Sequence, residues 1–288
     1  MIKDLLVNHA WFVYILIALL SLSVGSLLNA VIYRLPLMMQ AEWQHQCCDL
    51  LNIKEKPQKQ ALNLFFPRSF CPKCKTTIKA WQNIPLLSYL YLQGRCNQCK
   101  ESISIRYPLI ELVTLLLSLY SCWHFGLTAQ LPFALLAIWL LIAIFFIDLD
   151  HQLVPDSLSL SLLWLGLIAN THHLFTSLPN AVLSAVVAYL SLWIFIQVFY
   201  LVTGKIGMGN GDFKLFAAFG AWFGWTLLPL ILLFASVTGS IIGITHIVLN
   251  KQSKESTIAF GPYLCVAGLV ALFWGHALIN WYLTFSFH

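Results

Sequence analysis

Two long apolar segments flank the stretch Gly207-Met208-Gly209-Asn210-Gly211-Asp212. Residues Ala181–Val202 precede it and residues Phe213–Leu233 follow it, and both segments are almost wholly apolar. Glycines at alternate positions let backbone segments approach closely and adopt angles that side chains forbid. A carboxylate that enters a bilayer is costly because it loses its hydration. The stretch therefore predicts a tight loop that holds Asp212 in one defined place at the end of a membrane helix.

A second group of carboxylates has similar surroundings. Asp148, Asp150 and Asp156 follow the apolar segment Leu131–Ile147. We predict that Asp148 and Asp212 meet in space and act as a pair. On a continuing helix Asp148 and Asp150 point about 200° apart, so only one of them can face the bundle.

The composition is that of a membrane protein. The 288 residues are 59% hydrophobic and 9% charged, whereas soluble domains carry about 25% charged residues. The net charge of +5 does not indicate nucleic-acid binding, because the basic residues stand where membrane topology needs them. The first apolar segment, Ala10–Val31, is long enough to span a bilayer and lacks a cleavage motif, so we expect a retained helix and not a signal peptide.

Eight apolar segments predict an all-α polytopic protein with about eight transmembrane helices and both termini outside the cytoplasm. The chain from Arg34 to Arg106 is polar and holds 11 of the 16 Lys and Arg residues, which places it in the cytoplasm by the positive-inside rule. We therefore divide the chain into a first transmembrane helix (1–34), a cytoplasmic loop domain (35–106) and a seven-helix membrane core (107–288). The apolar segments are Ala10–Val31, 108–125, 130–148, 157–174, 179–203, 213–226, 229–249 and 260–285.

Two CxxC pairs in the polar segment predict one structural zinc ion. Each pair offers two thiolates to a tetrahedral ion, and four protein ligands leave no open position for catalysis. A cytoplasmic loop is in a reducing compartment, which disfavours disulfides; a redox-active CxxC is the alternative. The four ligands are Cys71, Cys74, Cys96 and Cys99, whereas the adjacent Cys47 and Cys48 match no ligand spacing.

The paired aspartates have three interpretations. Two neighbouring carboxylates cannot both ionise easily and share a proton, as in aspartic proteases, where one member activates water and the other polarises the scissile carbonyl. Intramembrane acids also mark ion or proton pathways in transporters. Finally, Asp156 and Asp212 each precede an apolar segment and are candidate helix N-caps.

Several further polar residues border the apolar segments. Asn29 is a candidate for a helix–helix hydrogen bond or a direct role at the site. Lys214 is placed to orient Asp212 or to reach the membrane surface. The sequence contains no Gly-x-Ser-x-Gly, HExxH or Walker A pattern, which argues against serine hydrolase, zincin and P-loop chemistry.

Taken in order, these motifs resemble the bacterial type IV prepilin peptidases over nearly the whole length. The shared pattern comprises Ser26–Asn29, Tyr33–Pro36, the two CxxC pairs, Trp81–Pro85, Ser88-Tyr89, Arg106–Pro108, Glu111, Ile147–Asp150, Leu153–Asp156, Gly207–Leu215 and Phe260–Tyr263. Two positions depart from it: Asn210 stands where an aromatic or small residue is usual, and Ala259 stands where proline often precedes Phe-Gly-Pro.

The resemblance implies a bifunctional enzyme of the GxGD aspartyl class in the bacterial inner membrane, with its active site facing the cytoplasm. Asp148 and Asp212 would be catalytic and would cleave the basic leader of type IV prepilins and type II secretion pseudopilins after glycine. The new N-terminal phenylalanine would then be methylated with S-adenosylmethionine as donor. A membrane transporter with a zinc-stapled cytoplasmic domain is the alternative, and the sequence does not indicate the oligomeric state.

The residues that bind the methyl donor are not identified by any motif. No glycine-rich nucleotide fingerprint is present. Asn29, Arg34 and Glu111, together with the zinc loop, are candidates for shaping that site. Glu111 has an alternative role as an ion-pair partner of Arg106.

Overall fold

A computed structural model describes most of the chain. It describes residues 10–53, 84–205, 207–250 and 259–286, together with 63, 64, 66, 68, 70, 71 and 73–78. The predicted motif residues Trp81, Gln82 and Asn83 lie outside these ranges. The chain divides into two compact units, Met1–Trp123 and His124–His288.

The described residues are mostly helical. Isolated antiparallel bridges join Phe70 to Thr77 and Arg95 to Ser102 around the cysteine pairs. The helices are α1 (Ala10–Leu50), α2 (Leu87–Tyr91), α3 (Arg106–Phe125), α4 (Gln130–His151), α5 (Asp156–Thr171), α6 (Leu178–Thr203), α7 (Asn210–Phe223), α8 (Leu228–Asn250) and α9 (Gly261–Ser286).

Each of the eight apolar segments forms a helix, and the chain is a multi-pass membrane protein. Six helices, α1, α3, α4, α6, α8 and α9, are long and apolar enough to cross a membrane. Helices α5 and α7 have 16 and 14 residues, fewer than the roughly 20 that a full crossing needs. The all-α polytopic fold is confirmed, and the predicted count of eight spans is approximate.

Helix α1 is longer than the sequence indicated. It continues through Pro36 to Leu50, although the polar loop was expected to begin at residue 35. Residues 37–50 contain many good helix formers, including leucine, methionine, glutamine and alanine, which offset the hydrogen bond that a proline removes. The helix crosses the expected boundary at residue 34, and the division into segments 1–34, 35–106 and 107–288 stays a prediction.

Short helix α7 lies at the centre of the second unit. Helices α5 and α6 pack against it most extensively, and α8 and α9 also contact it. The side chains of Phe213, Phe219 and Trp222 are almost completely buried. At Gly220 a Cβ atom would lie 2.6 Å from the Ser184 carbonyl oxygen, so the close approach of α6 depends on glycine.

A buried asparagine fixes the carboxyl-terminal end of α7. The Nδ2 atom of Asn170 donates to the carbonyls of Ala221 and Trp222 at 2.7 and 3.1 Å. Its Oδ1 atom accepts hydrogen bonds from the backbone N–H groups of Phe175 and Thr176 at 3.0 and 2.9 Å. The last carbonyls of a helix have no intrahelical partner, and Asn170 supplies one for two of them.

Candidate active site

The structure brings together two buried carboxylates in the second unit. Asp148 lies in the last turn of α4 and Asp212 lies in the first turn of α7. Their side chains are 4% and 7% exposed, and they are close enough to interact electrostatically. The two ends of different helices thus place like charges at one point, where repulsion favours a shared proton.

Each of these carboxylates has one buried oxygen without a hydrogen-bond partner among the described residues. The atoms are Oδ2 of Asp148 and Oδ1 of Asp212. Buried polar atoms are nearly always partnered, and exceptions concentrate where a catalytic role requires them. The backbone N–H groups of Gly261 and Gly209 face Asp148 and Asp212, respectively. The arrangement leaves one acceptor on each side of the pair for chemistry.

Close packing around Val154 sets the position of both carboxylates. Val154 lies in the connection between α4 and α5 and is buried. A Cβ atom at Gly211, next to Asp212, would lie 2.7 Å from the Val154 Cβ atom. A Cβ atom at Gly261 would overlap the Asp148 carboxylate and lie 3.2 Å from Val154. Three chain segments therefore meet at a point where two positions have room only for glycine.

Four cysteines of the first unit form a cluster that could bind one zinc ion. The Sγ atoms of Cys71 and Cys99 are 3.8 Å apart, and those of Cys74 and Cys96 are 4.0 Å apart. All four lie within 4.8 Å of one another. A tetrahedral ion with zinc–sulfur bonds of about 2.3 Å requires sulfur separations of about 3.8 Å. The side chains present fit the ion in both chemistry and spacing.

The local backbone favours the thiolate form at two of these cysteines. Hydrogen bonds from the side chain and then the backbone of Thr76 lower the pKa of Cys74 to about 6. The backbone N–H groups of Cys99 and Gln98 lower the pKa of Cys96. Thiolates are the form that binds metal ions, so these shifts favour Cys74 and Cys96 as ligands, whereas burial and the neighbouring thiols raise the pKa of Cys99 to about 11.

Comparison with known proteins identifies the family. The bacterial peptidase A24 N-terminal domain matches residues 19–125, and the type IV leader peptidase family matches residues 135–244. A prepilin leader peptidase/N-methyltransferase of Legionella pneumophila is 60% identical over 285 residues, which cover 99% of both chains. Proteins with the same name from Stutzerimonas stutzeri and Neisseria gonorrhoeae are 53% and 46% identical, and the matches cover 95% and 93% of this chain and 95% and 94% of theirs. The chain belongs to the type IV leader peptidase family. No solved structure matches it.

In this member of the leader peptidase family, the other acids near the pair have separate surroundings. Asp150 is exposed at the end of α4. Asp156 is not the predicted N-cap, because Pro155 occupies that position and Asp156 begins the helix. Its carboxylate binds the ammonium group of Lys214 at 2.7 and 2.6 Å. The sequence suggested that Lys214 orients Asp212 or reaches the membrane surface, and the structure pairs it with Asp156.

The candidate methyl-donor residues lie in the first unit and are buried. Asn29 donates to the Tyr107 carbonyl at 3.2 Å, which is the helix–helix hydrogen bond that the sequence suggested. Glu111 accepts from the Leu86 N–H at 2.9 Å and contacts Asn29. Arg34 is 7% exposed and donates to the carbonyl of Asn63 at 3.0 Å. A role for these residues in methyl transfer, and the Arg106 pairing of Glu111, stay predictions.

Sequence reasoning missed some residues that surround the aspartate pair. Cys265 stands in an apolar segment, where a cysteine is usually a small core residue, and the structure places it, fully buried, within electrostatic range of both Asp148 and Asp212. Val154 and Gly261 were noted only as parts of motifs. Cys265 lies one turn after Gly261 on α9, so the helical period would have linked it to the site once Gly261 was placed there.

Proposed function

We propose that this chain is a prepilin leader peptidase and N-methyltransferase. Its relatives carry that name, and the observation that supports the peptidase assignment most strongly is the buried pair Asp148 and Asp212. Each member keeps an oxygen without a partner among the described residues. Two carboxylates at this proximity suit a reaction in which one is ionised and the other is protonated.

In the proposed cleavage step, the ionised aspartate takes a proton from the attacking water. The protonated aspartate donates to the oxygen of the scissile carbonyl. As the carbon–nitrogen bond breaks, the first aspartate passes its proton to the leaving amine, and the hydroxyl formed from the carbonyl oxygen returns a proton to the second aspartate. The tight packing at Gly211 and Gly261 would hold both carboxylates in the required geometry, because a small displacement of a catalytic group is costly in rate. The two carboxylates titrate as a coupled pair, so their apparent pKa values belong to the pair and not to either residue alone.

The proposed substrates are type IV prepilins and type II secretion pseudopilins at the cytoplasmic face of the inner membrane. The bias of Lys and Arg towards the segment 34–106 supports this orientation. A prepilin has an apolar segment after its basic leader, so it can lie in the bilayer while the leader stays in the cytoplasm. Cleavage would then occur at a membrane border, where acids at helix ends are appropriate.

We propose structural zinc and S-adenosylmethionine as the two cofactors. Zinc held by Cys71, Cys74, Cys96 and Cys99 would have only protein ligands and would stabilise the loop without an open catalytic position. S-adenosylmethionine would supply the methyl group for the new α-amino group. Asn29, Arg34 and Glu111 are the candidates for shaping that site.

Cleavage and methylation of a purified prepilin test the proposal. We would compare the wild type with Asp148→Asn, Asp212→Asn and the matched control Asp150→Asn, which removes an exposed carboxylate from the same helix. Mass spectrometry would report both loss of the leader and gain of a methyl group. We expect cleavage to be lost in the first two variants and kept in the control.

The same variants test the transporter alternative. That alternative predicts that Asp148→Asn abolishes transport without affecting cleavage. Normal cleavage by Asp212→Asn would exclude the aspartyl mechanism. Loss of cleavage in Asp150→Asn with normal cleavage in Asp148→Asn would reassign the partner of Asp212.

A further inference from the structure

Short helix α2 has an apolar face that is exposed to its surroundings. Leu87, Leu90 and Tyr91 are 65%, 72% and 78% exposed. They stand at positions i, i+3 and i+4, so their side chains share one face of the helix. No residue of α2 is buried. Three large apolar groups side by side in a small cysteine-containing segment indicate an interaction surface.

A hydrogen bond to a membrane helix sets the depth of α2. The residue before α2, Leu86, donates its N–H to Oε2 of Glu111 at 2.9 Å. Glu111 lies five residues after Arg106, the first residue of α3, which corresponds to about 7.5 Å along the helix. Helix α3 is long and apolar enough to cross a membrane. The start of α2 is therefore held beside the first two turns of a transmembrane helix.

The conformation of Leu86 shows how tightly this connection is made. Leu86 has a φ of 57°, a left-handed conformation that is costly for a leucine. Glu111 is only 9% exposed, and its interactions with Leu86 and Asn29 hold it in place. The strained turn thus aims the chain into α2 at a fixed level relative to α3.

The sequence on either side of α2 is strongly basic. Between residues 63 and 106 the sequence has seven basic residues and one acid, Glu101. Glu101 is paired with Lys73, and the segment carries six more basic than acidic residues. The basic residues are Arg68, Lys73, Lys75, Lys79, Arg95, Lys100 and Arg106.

We propose that the face formed by Leu87, Leu90 and Tyr91 inserts into the headgroup–acyl boundary of an anionic phospholipid leaflet. Interfacial helices combine an apolar face with surrounding Lys and Arg residues, and basic segments next to transmembrane helices are attracted to anionic lipids. Tyr91 suits this level because tyrosine is enriched at membrane interfaces. The cysteine cluster, whose second pair, Cys96 and Cys99, follows α2 closely in the sequence, is thereby attached to the membrane surface. The inference depends on membrane insertion and is independent of the proposed peptidase activity.

Photocrosslinking of the full-length protein in nanodiscs tests the proposal. The photoreactive residue benzoylphenylalanine would replace Leu90, and the matched control would carry it at Asn97, an exposed position between the second pair of cysteines. In nanodiscs that contain phosphatidylglycerol and phosphatidylcholine, we expect at least tenfold more lipid adduct from position 90. Equal lipid yields at the two positions would overturn the proposal. So would crosslinks from position 90 mainly to protein, whether to a second copy, to the same chain or to an added prepilin.

Two further comparisons test the depth and charge arguments separately. Glu111→Leu removes the acceptor for Leu86, and we expect the lipid adduct at position 90 to fall at least threefold. Glu111→Gln keeps a side-chain acceptor and should preserve the adduct, while zinc content reports whether each variant retains the cysteine cluster. Nanodiscs of phosphatidylcholine alone should also give a lower yield. An undiminished yield in Glu111→Leu would refute the depth argument, and one in pure phosphatidylcholine would refute the preference for anionic lipid.

Discussion

Replacing Asn170 with leucine should destabilise the second unit, although Asn170 lies at the opposite end of α7 from Asp212. Asn170 is completely buried and makes four hydrogen bonds at the end of α7. Leucine has a similar shape and fills the same space, so the loss of hydrogen bonding is the main change. Two carbonyls and two N–H groups would lose their partner in a place that water does not reach.

The expected loss in the free energy of unfolding is about 2 to 4 kcal/mol. Side-chain hydrogen bonds in membrane proteins contribute about 0.6 kcal/mol each on average, which gives about 2.4 kcal/mol for four. A buried group left without a partner costs at least about 1 kcal/mol, which gives about 4 kcal/mol. Since about 1.4 kcal/mol is a factor of ten, the folded-to-unfolded ratio should fall roughly 30- to 1000-fold.

Equilibrium unfolding in mixed micelles, with the anionic detergent fraction as denaturant, measures this change. The matched control is Asn280→Leu, the same substitution at an exposed position of α9, which should change the free energy by less than about 0.5 kcal/mol. A value for Asn170→Leu as small as the control's would show that these four hydrogen bonds do not hold α7 in place.

Three other predictions concern the aspartate pair and the cysteine cluster. Gly261→Ala should reduce prepilin cleavage at least tenfold, because the new Cβ atom would overlap the Asp148 carboxylate. In the control Gly209→Ala, the Cβ atom would make an ordinary 3.7 Å contact, so we expect a small loss. Equal effects of the two substitutions on the cleavage rate would contradict the packing argument. Lys214→Met should lower the free energy of unfolding by less than about 1 kcal/mol, since the ion pair with Asp156 is partly exposed. The variant should still cleave prepilin. A loss of cleavage as severe as that from removing a catalytic carboxylate would assign the lysine a direct role. Cys74→Ser should reduce the zinc content from about one ion per chain to a small fraction, while the control Cys47→Ser should leave it unchanged. Elemental analysis of the purified proteins measures the zinc content. Equal zinc contents in the two variants would exclude the four-cysteine site.

The sequence predicted the helices well because a segment that spans the bilayer must be apolar and must satisfy its own backbone hydrogen bonds. A membrane helix must be apolar over its length, so segments such as 130–148 and 179–203 stand out without knowledge of their neighbours. The cysteine ligands were equally accessible, because two CxxC pairs in one loop match a local coordination rule. The length of helix α1 was underestimated because hydropathy reports membrane burial and not helix formation. Hydropathy falls after Pro36, whereas the helix continues to Leu50.

The partners of individual polar side chains were not predictable in the same way. Lys214 and Asp156 are 58 residues apart in the sequence, yet the Nζ atom of Lys214 lies 2.6 Å from the Oδ2 atom of Asp156. This contact depends on how α5 and α7 pack. Asn170 carried no signal, because a single asparagine in an apolar segment does not reveal which carbonyls it faces. Periodicity locates the helices, but the contacts between them follow from the packing of many side chains at once.

The length of α7 connects Asn170 to the aspartate pair. Its 14 residues extend for about 21 Å, which is less than the roughly 30 Å hydrocarbon core. Both ends therefore need polar partners from the protein: Asn170 supplies them at the carboxyl-terminal end, and the packing of Gly211 against Val154 fixes the end that carries Asp212. A helix that is short, buried over most of its length and held at both ends is a rigid support for a carboxylate. We therefore expect Asn170→Leu to reduce the cleavage rate even under conditions in which the variant remains folded, because loosening one end of α7 lets Asp212 move at the other.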